Sequence, residues 1–332
     1  MPATLLDPTT LQKLATLQLR ARHVVEGVLT GLHKSPHQGQ AVEFAEHKEY
    51  APGDETRHID WRAFARVDKY YVKKFELETN LRAYLVLDAS RSMAYGRRGV
   101  TKLEYAKMLG AALAYLLVRQ QDLCGLVVSG APEAEAAAAD DLAPKTGEPP
   151  ADQPADDARD VRLPPSVRRY LPPRASPAHL NGLLGVLERL SPEGATDLAG
   201  TIDFVAEKAQ RRALVLLLSD LFDPSPKALA SLAKLRKRRC EVAVFHLLDR
   251  DELDFPFDDP TDFLALEGAS RIEANPRSVR AGYLAEMGAF LKQTRRALFD
   301  SDVEYALTPT DEPLDRVLLT FLAARRAASR AL

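Results

Sequence analysis

The chain has 332 residues, of which 46% are hydrophobic and 28% are charged. These proportions are typical of globular proteins and exclude a wholly disordered, fibrous or membrane-embedded chain. The length allows one large domain or two ordinary ones. The 45 basic and 47 acidic residues give a formal net charge of −2, so the chain as a whole is not the strongly basic surface that nucleic acid or an anionic membrane requires.

The N-terminal sequence lacks the cationic start and apolar block of a signal peptide, and no stretch reaches the ~18 apolar residues of a membrane span. Both cysteines, Cys124 and Cys240, lie in apolar runs without metal-binding or redox spacing. This setting predicts buried thiols in a reducing compartment. We therefore expect a cytoplasmic protein that has no membrane span and does not bind nucleic acid.

The first part of the chain is predicted to hold a helix and a small β-rich segment. Leucine and valine at mostly helical spacing predict the helix over residues 9–30. From residue 38 to residue 80 the sequence changes to short alternating runs separated by turn residues, which is typical of short strands. We assign residues 1–80 to this N-terminal part and residues 81–332 to the main domain.

In the main domain, near-continuous apolar runs alternate with amphipathic helical patterns. In chain order the sequence predicts a strand at 83–90, a helix at 102–121, a strand at 124–130, helices at 178–190 and 198–210, a strand at 213–221, a helix at 225–238, strands at 240–249 and in DFLALEG, a helix at 277–298, a strand in VEYALT and a helix at 312–329. Such alternation implies βαβ crossovers. We therefore predict an α/β, Rossmann-like fold with a mostly parallel central sheet flanked by helices.

One segment, residues 131–160, interrupts this pattern. It contains ten alanines, five prolines, nine acidic residues and two basic ones, which gives a local charge of −7. A segment with so little apolar surface cannot offset its ordering entropy. We predict a disordered acidic insert that leaves a remaining body with a charge of +5.

Three short segments share hydroxyl and carboxylate side chains. They are DASRSM (88–93), GATD (194–197) and SD (219–220). Each follows a predicted strand or begins a predicted helix. In an open parallel sheet, ligands bind outside the carboxyl ends of the strands, so we expect the three segments to meet at that edge.

This set of oxygen atoms suits a hard cation, because Mg²⁺ prefers near-octahedral oxygen coordination and retains water readily. Ser90, Ser92 and Thr196 can supply neutral oxygens. Asp88 and Asp220 can hold the ion directly or through water. Since two carboxylates only balance the charge of the ion, an open coordination position would favour an acidic side chain from a partner protein.

Helix capping is the alternative for each segment taken alone, because Ser, Thr and Asp commonly cap helix starts. Ser90 or Ser92 could cap a short turn. Thr196 with Asp197 could cap the helix predicted at 198–210. The two roles are compatible, since a capping hydroxyl can also bind a metal.

The three segments at these separations resemble the metal-ion-dependent adhesion site of a von Willebrand factor type A (vWA) domain, over about residues 82–250. The upstream sequence EYAPGDETRHIDWRAFARVDKYYVKKFE is similar to the signature of the bacterial domain-of-unknown-function family 58. The resemblance implies a vWA-like domain that binds Mg²⁺, or else Mn²⁺ or Ca²⁺. It implies as metal ligands Asp88, Ser90, Ser92, Thr196 and Asp220.

The same resemblance implies a binding or adaptor protein rather than a catalyst. Such proteins are commonly encoded beside MoxR-type AAA+ ATPases and are thought to act with them in the maturation, metal loading or remodelling of other proteins. The implied function is therefore a metal-dependent protein-interaction module that serves a MoxR-type AAA+ ATPase, with an acidic residue of a partner completing the site. Family members often carry N-terminal membrane spans, which this sequence does not show.

Within the upstream signature, Arg57, Asp60, Trp61 and Arg62 could form a partner-docking surface with Trp61 as its aromatic anchor. The alternative is an internal salt bridge and a core tryptophan that tie the β-rich segment to the sheet. Both interpretations remain open from the sequence.

A Mg²⁺-dependent hydrolase is the competing function, with Asp88 as the nucleophile of a phosphatase at the end of the first strand. Phosphatases of the haloacid-dehalogenase type need a second Asp two residues later as acid and base, and this chain has Ser90 there. Their downstream Lys is not evident either. The sequence therefore favours a binding protein over an enzyme.

Overall fold

The structure is a computed structural model that describes residues 16–33, 47–49, 70–73, 81–96, 99–130, 162–195, 197–222, 227–266 and 271–330. The described residues group into two compact units. The larger unit contains those up to Thr30 and those from Leu81 onward, and the smaller unit is Gly31–Asn80. The predicted insert at 131–160 lies outside the described residues.

The N-terminal helix, α1 (Leu17–His33), confirms the helix predicted at the start of the chain. Its buried side chains recur at helical spacing and include Leu17, Ala21, Val24, Val25 and Val28. The predicted division at residue 80 places this helix in the N-terminal part, whereas its residues up to Thr30 group with the larger unit.

In the smaller unit, strands β1 (His47–Glu49) and β2 (Tyr71–Lys73) pair antiparallel. His47 lies opposite Lys73 and Glu49 opposite Tyr71. Both strands fall in the runs for which alternation predicts β structure. The described residues of this unit therefore agree with a β-rich segment.

The remaining strands, in chain order, are β3 (Arg82–Asp88), β4 (Leu123–Ser129), β5 (Val167–Arg174), β6 (Leu214–Ser219), β7 (Glu241–Leu248), β8 (Thr261–Leu264), β9 (Arg271–Ala274) and β10 (Glu304–Pro309). Among the described residues, six of these strands form one sheet in the order β10-β7-β6-β3-β4-β5. Within that sheet only β5 runs antiparallel to its neighbour. The predicted α/β fold with a mostly parallel sheet is confirmed.

The helices of the larger unit after α1 are α2 (Lys102–Arg119), α3 (Pro177–Arg189), α4 (Leu198–Lys208), α5 (Lys227–Lys237), α6 (Arg250–Asp254), α7 (Pro276–Asp300) and α8 (Leu314–Arg330). On one face of the sheet, Val86 of β3 and Leu217 of β6 belong to a buried cluster with Val205 of α4 and Leu232 of α5. This burial of alternate strand residues fixes the strand ends, because a one-residue slip would move the apolar side chains to the opposite face.

Helix α2 packs against the other face of the sheet at Gly110. A Cβ atom built on Gly110 would lie 3.7 Å from Leu87 of β3, 3.9 Å from Leu187 of α3 and 4.0 Å from Leu218 of β6. These are ordinary van der Waals distances, so the position has room for a methyl group.

We therefore expect Gly110→Ala to raise the free energy of unfolding by about 1 kcal/mol, since alanine is favoured over glycine in a helix interior by about that amount. Urea unfolding followed by circular dichroism measures the change. Gly182→Ala in α3 is the matched control, because a Cβ there meets nothing within 4 Å and reports helix propensity alone. A net loss of stability in Gly110→Ala would contradict the packing described here.

Three elements were not predicted: β5, β9 and the short helix α6. The sequence of β5, VRRYLPPR, contains two adjacent prolines, which argue against a central strand. As an edge strand, β5 tolerates them. A Cβ on Gly125 of β4 would lie 2.9 Å from the Leu171 carbonyl oxygen of β5, so the close approach of the two strands requires glycine there.

Candidate functional site

The register of the parallel strands lines up polar residues at one edge of the sheet. Asp88, the last residue of β3, lies opposite Ser129, the last residue of β4. Leu87 pairs with Leu218 of β6, so Ser219 follows beside Asp88. Strand β3 lies between β4 and β6, where the chain order in the sheet reverses. This is the place where open α/β sheets bind ligands.

The carboxylate of Asp88 is fully buried and held on both oxygens. Its Oδ1 accepts hydrogen bonds from the Ser90 backbone amide at 3.0 Å and from the Ser129 hydroxyl at 3.3 Å. Its Oδ2 accepts from the Ser219 hydroxyl at 2.6 Å. Hydrogen bonds to a charged group are the stronger kind, so the orientation of this carboxylate is fixed by three strand ends.

The hydroxyls of Ser90 and Ser92 lie side by side beyond Asp88, with their Oγ atoms 3.1 Å apart. Ser92 lies in a single 3₁₀ turn (Arg91–Ala94), and Ser90 directly precedes that turn. Ser90 stands at the N-cap position of that turn, but its side chain makes no capping hydrogen bond. Its capping role is therefore not observed, and its hydroxyl lies against Ser92 instead.

The loop before α4 is attached to this turn by backbone hydrogen bonds. The Arg91 amide donates to the Gly194 carbonyl at 3.1 Å, and the Glu193 amide donates to the Ala89 carbonyl at 2.9 Å. Asp197 caps α4 by accepting from the Gly200 amide at 2.9 Å, as the capping interpretation predicted. Thr196, the predicted ligand on this loop, lies outside the described residues.

Asp220, directly after β6, forms a buried ion pair with Lys102, the first residue of α2. The Lys102 Nζ lies 2.7 Å from Asp220 Oδ2 and 2.8 Å from Glu252 Oε1 of α6. Asp220 Oδ1 accepts from the Phe222 backbone amide at 3.1 Å. The lysine side chain is 1% exposed and that of Asp220 is 0% exposed, so the predicted metal ligand Asp220 already has a cationic neighbour.

His246 of β7 holds the backbone of Asp220 by a hydrogen bond. Its Nε2 donates to the Asp220 backbone carbonyl at 2.8 Å, and its Nδ1 lies 2.9 Å from the Tyr305 hydroxyl. Burial lowers the pKa of His246 to about 4. The histidine is thus a neutral core residue with both ring nitrogens hydrogen-bonded, as its place in an apolar strand predicts.

The charges at this edge are incompletely balanced. Burial, and then the negative charge of Asp220, raise the pKa of Asp88 to about 6. Burial by itself would lower the pKa of Lys102, but the two carboxylates beside it outweigh that effect and raise the pKa. Two carboxylates therefore flank the Lys102 ammonium, and the negative charge of Asp88 is opposed mainly by neutral donors.

These residues fit a divalent ion. Adjacent ligands of an octahedral Mg²⁺ at 2.0–2.1 Å are separated by about 3 Å, which is the spacing of the Ser90 and Ser92 hydroxyl oxygens. An added cation would also oppose the charge of Asp88. Within the described ranges, no three His, Cys, Asp or Glu side chains cluster as a metal site.

A pocket of about 300 Å³ opens beside this edge. The side chains that line it combine polar and apolar groups: Ser92, Tyr95, Lys102, Phe222, Glu252, Leu264 and Leu266. Leu264 and Leu266 are among the exposed apolar side chains, with 67% and 41% of their surface accessible. The pocket therefore extends from Ser92 to an apolar surface.

The structure brings together Asp88, Ser90, Ser92 and Asp220 of the predicted set. The candidate docking residues Arg57, Asp60, Trp61 and Arg62 lie outside the described residues. Sequence reasoning missed four residues that build the site: Lys102, Ser129, Ser219 as a partner of Asp88, and Glu252. A polar residue closing an apolar strand was the available signal for the two serines, whereas nothing local distinguishes Lys102 from an exposed lysine.

Comparison with known proteins gives a family. The model described as "Protein of unknown function DUF58" matches residues 46–139 and 157–290, and the unmatched residues between these ranges lie in the acidic segment. The uncharacterized protein Rv1480 of Mycobacterium tuberculosis (strain ATCC 25618 / H37Rv) is 25% identical over 256 residues, which are 75% of this chain and 68% of that protein. The uncharacterized protein Mb1516 of Mycobacterium bovis gives the same values.

Solved structures with a similar chain path include an aerotolerance-related membrane protein from Bacteroides fragilis NCTC 9343, with 15% identity, 71% of this chain and 96% of that chain covered and a TM-score of 0.42. BatB from Bacteroides thetaiotaomicron has 12% identity, 74% and 98% coverage and a TM-score of 0.43. The SpRpn10 VWA domain has 12% identity, 72% and 94% coverage and a TM-score of 0.37. Of the helices that the structure describes, none has the length and apolar character needed to cross a membrane.

Proposed function

From the premise that this chain belongs to the DUF58 family of proteins of unknown function, we propose that it is a metal-dependent protein-interaction module. The observation that carries the proposal is the pair of hydroxyl oxygens of Ser90 and Ser92, 3.1 Å apart above the buried carboxylate of Asp88. This arrangement lies at the strand edge where α/β sheets bind ligands. The proposed metal is Mg²⁺, or else Mn²⁺ or Ca²⁺.

In this proposal, Ser90, Ser92 and Thr196 hold the ion through neutral oxygens. Asp88 and Asp220 supply negative charge next to these hydroxyls, and hydrogen bonds from Ser219 and from the Phe222 amide fix the orientation of the two carboxylates. When bound, the ion supplies a positive charge and an open coordination position. A carboxylate of a partner protein completes the site, and the neighbouring pocket with Leu264 and Leu266 gives that partner an apolar contact.

We further propose that the partner is a MoxR-type AAA+ ATPase and that the chain acts beside it in the cytoplasm during the maturation or remodelling of other proteins. Support for this partner comes from the resemblance of the upstream sequence to the signature of the DUF58 family, whose members are commonly encoded beside MoxR-type AAA+ ATPases.

A pull-down with a MoxR-type AAA+ ATPase from the same organism tests the proposal. Ser92→Ala and Asp88→Ala are expected to lower retention of the ATPase at least as much as chelation by EDTA, and added MgCl₂ restores it for the unaltered chain. Ser278→Ala is the control, because that hydroxyl contacts only the Asn275 carbonyl at the start of α7. Retention that is unchanged by EDTA and by both site variants would refute the metal-dependent interaction.

The chain is proposed to be a binding protein and not an enzyme. Asp88, the nucleophile of the alternative phosphatase, is completely buried, and both of its oxygens accept hydrogen bonds. This burial supports the binding role, because a nucleophile must reach its substrate. Turnover of generic phosphate esters that disappears in Asp88→Asn would favour the hydrolase instead.

A further inference from the structure

Lys102 is a buried cation built into the candidate site. Lysine is almost never fully buried unless it is paired, and here the side chain is 1% exposed. Its ammonium contacts Asp220 and Glu252 and lies 5.0 Å from the centre of the Phe222 ring. The ammonium is therefore held by contacts within the chain itself.

Lys102 and Glu252, the two residues of one of these ion pairs, are each held in position by a helix cap. Thr101 caps α2 by accepting from the Glu104 amide at 3.1 Å, which positions the residue next to it. Glu252 uses its second oxygen, Oε2, to accept from the Asp249 amide at 2.7 Å within the capping box of α6. Moving Lys102 away would break one buried and one partly buried ion pair, and breaking a buried pair strongly destabilises a protein.

The position of the ammonium bears directly on the proposed cation. Lys102 and Ser92 line the same pocket, and Lys102 takes one oxygen of Asp220, which the ligand set assigns to the metal. A fixed positive charge that lines the same pocket repels a divalent ion bound there. It also leaves Asp220 with less negative charge to offer.

We propose that Lys102 keeps the affinity of the free site for divalent cations low, so that the cation binds firmly only together with a partner carboxylate. This inference rests on the proposed function, since it concerns the same Ser90 and Ser92 hydroxyls. Metal and partner then strengthen each other's binding by the same factor, as thermodynamic linkage requires. Lys102 acts as a positioning and charge-setting residue and does not touch the partner.

Mn²⁺ titration of the purified full chain, followed by the electron paramagnetic resonance signal of free Mn²⁺, tests the inference. Lys102→Met is expected to tighten Mn²⁺ binding by about tenfold or more, because the variant removes a fixed positive charge near the ion. Glu252→Gln is expected to weaken it, because the variant removes a carboxylate and leaves the ammonium less neutralised. Opposite signs in the two variants are the result that a merely structural role would not produce.

Lys107→Met is the matched control. Lys107 lies on the same helix, is 7% exposed and pairs with Glu104 at 2.7 Å, so its removal should leave Mn²⁺ affinity unchanged. Circular dichroism establishes that each variant is folded, and Glu252→Gln, whose side chain is 15% exposed, keeps the test decisive if Lys102→Met unfolds.

Equal Mn²⁺ affinity in the unaltered chain, in Lys102→Met and in Glu252→Gln would overturn the inference. The proposed cation site would still stand in that case if Ser90→Ala or Ser92→Ala abolished the binding. Absence of Mn²⁺ binding in every variant would overturn the cation itself, and the inference with it.

Discussion

Asp220→Ala is expected to lower the free energy of unfolding by about 3–5 kcal/mol, the cost of removing one partner of a buried ion pair. The physical reason is that the Lys102 ammonium would keep its charge in a buried place with one of its two carboxylates gone. The Phe222 amide would also lose its acceptor. Urea unfolding in EDTA, followed by circular dichroism, measures the loss without any contribution from bound metal.

An exposed ion pair supplies the control for this prediction. Asp203 lies 3.1 Å from Lys234, with 48% of the Asp203 side chain and 59% of the Lys234 side chain accessible to solvent. Exposed pairs contribute about 0–1 kcal/mol, so Asp203→Ala should change stability little. If Asp220→Ala lowered the free energy of unfolding no more than Asp203→Ala, the prediction would be contradicted. The Lys102 ammonium would then be solvated or paired elsewhere in the variant, contrary to its burial.

Leu217→Ala is the second variant with a large expected effect, a loss of about 2–5 kcal/mol, which is usual for truncating a buried leucine. Leu217 is in the middle of β6, has no accessible surface and belongs to the cluster between the sheet and its helices. Its removal leaves a cavity under α4 and α5, since the surrounding strands are held by their register and cannot collapse fully. The same urea experiment measures the loss.

Phe299→Ala tests whether the effect of Leu217→Ala depends on burial. Phe299, near the end of α7, is 80% exposed, and substitutions at such positions usually remain within about 0.5 kcal/mol. The Leu217 loss should also persist at saturating MgCl₂, because it arises in the core. Full recovery with MgCl₂ would mean that the metal site and this part of the core are energetically one unit.

Much of the candidate site could be predicted from local sequence. Asp88, Ser90 and Ser92 follow one another closely at the end of an apolar strand, which predicts that their oxygens lie near each other. The structure brings the Ser90 and Ser92 hydroxyls to 3.1 Å through the 3₁₀ turn at Arg91–Ala94. Asp220 could be predicted in the same way, because it closes another buried strand. In each case the information lies within a few residues of the strand end.

Lys102 could not be predicted, because its meaning depends on distant residues. It is separated from Asp220 by 118 positions and from Glu252 by 150. In sequence it reads as an ordinary first residue of an amphipathic helix. Only when α2, the end of β6 and α6 meet does it become a buried cation beside a predicted metal ligand.

The antiparallel strand β5 was missed for a related reason. Pro172 and Pro173 cannot donate backbone hydrogen bonds, so the segment lacks the pattern of a buried strand. It can pair with β4 because it lies at the edge of the sheet. On its outer side no neighbouring strand requires backbone hydrogen bonds from it. Whether a strand lies at the edge or in the centre of a sheet depends on the assembled sheet and not on the sequence of the strand alone.

The succession of strands and helices, the mostly parallel sheet and the polar ends of β3 and β6 were all determined by the amino-acid pattern, because hydrophobic periodicity and turn chemistry act over a few neighbouring residues. Folding alone decided which charges meet at the edge of the sheet. Burial removes the water that would otherwise separate Asp88, Asp220, Glu252 and Lys102. Their charges then act on one another at short range, and this sets how the site can hold a cation.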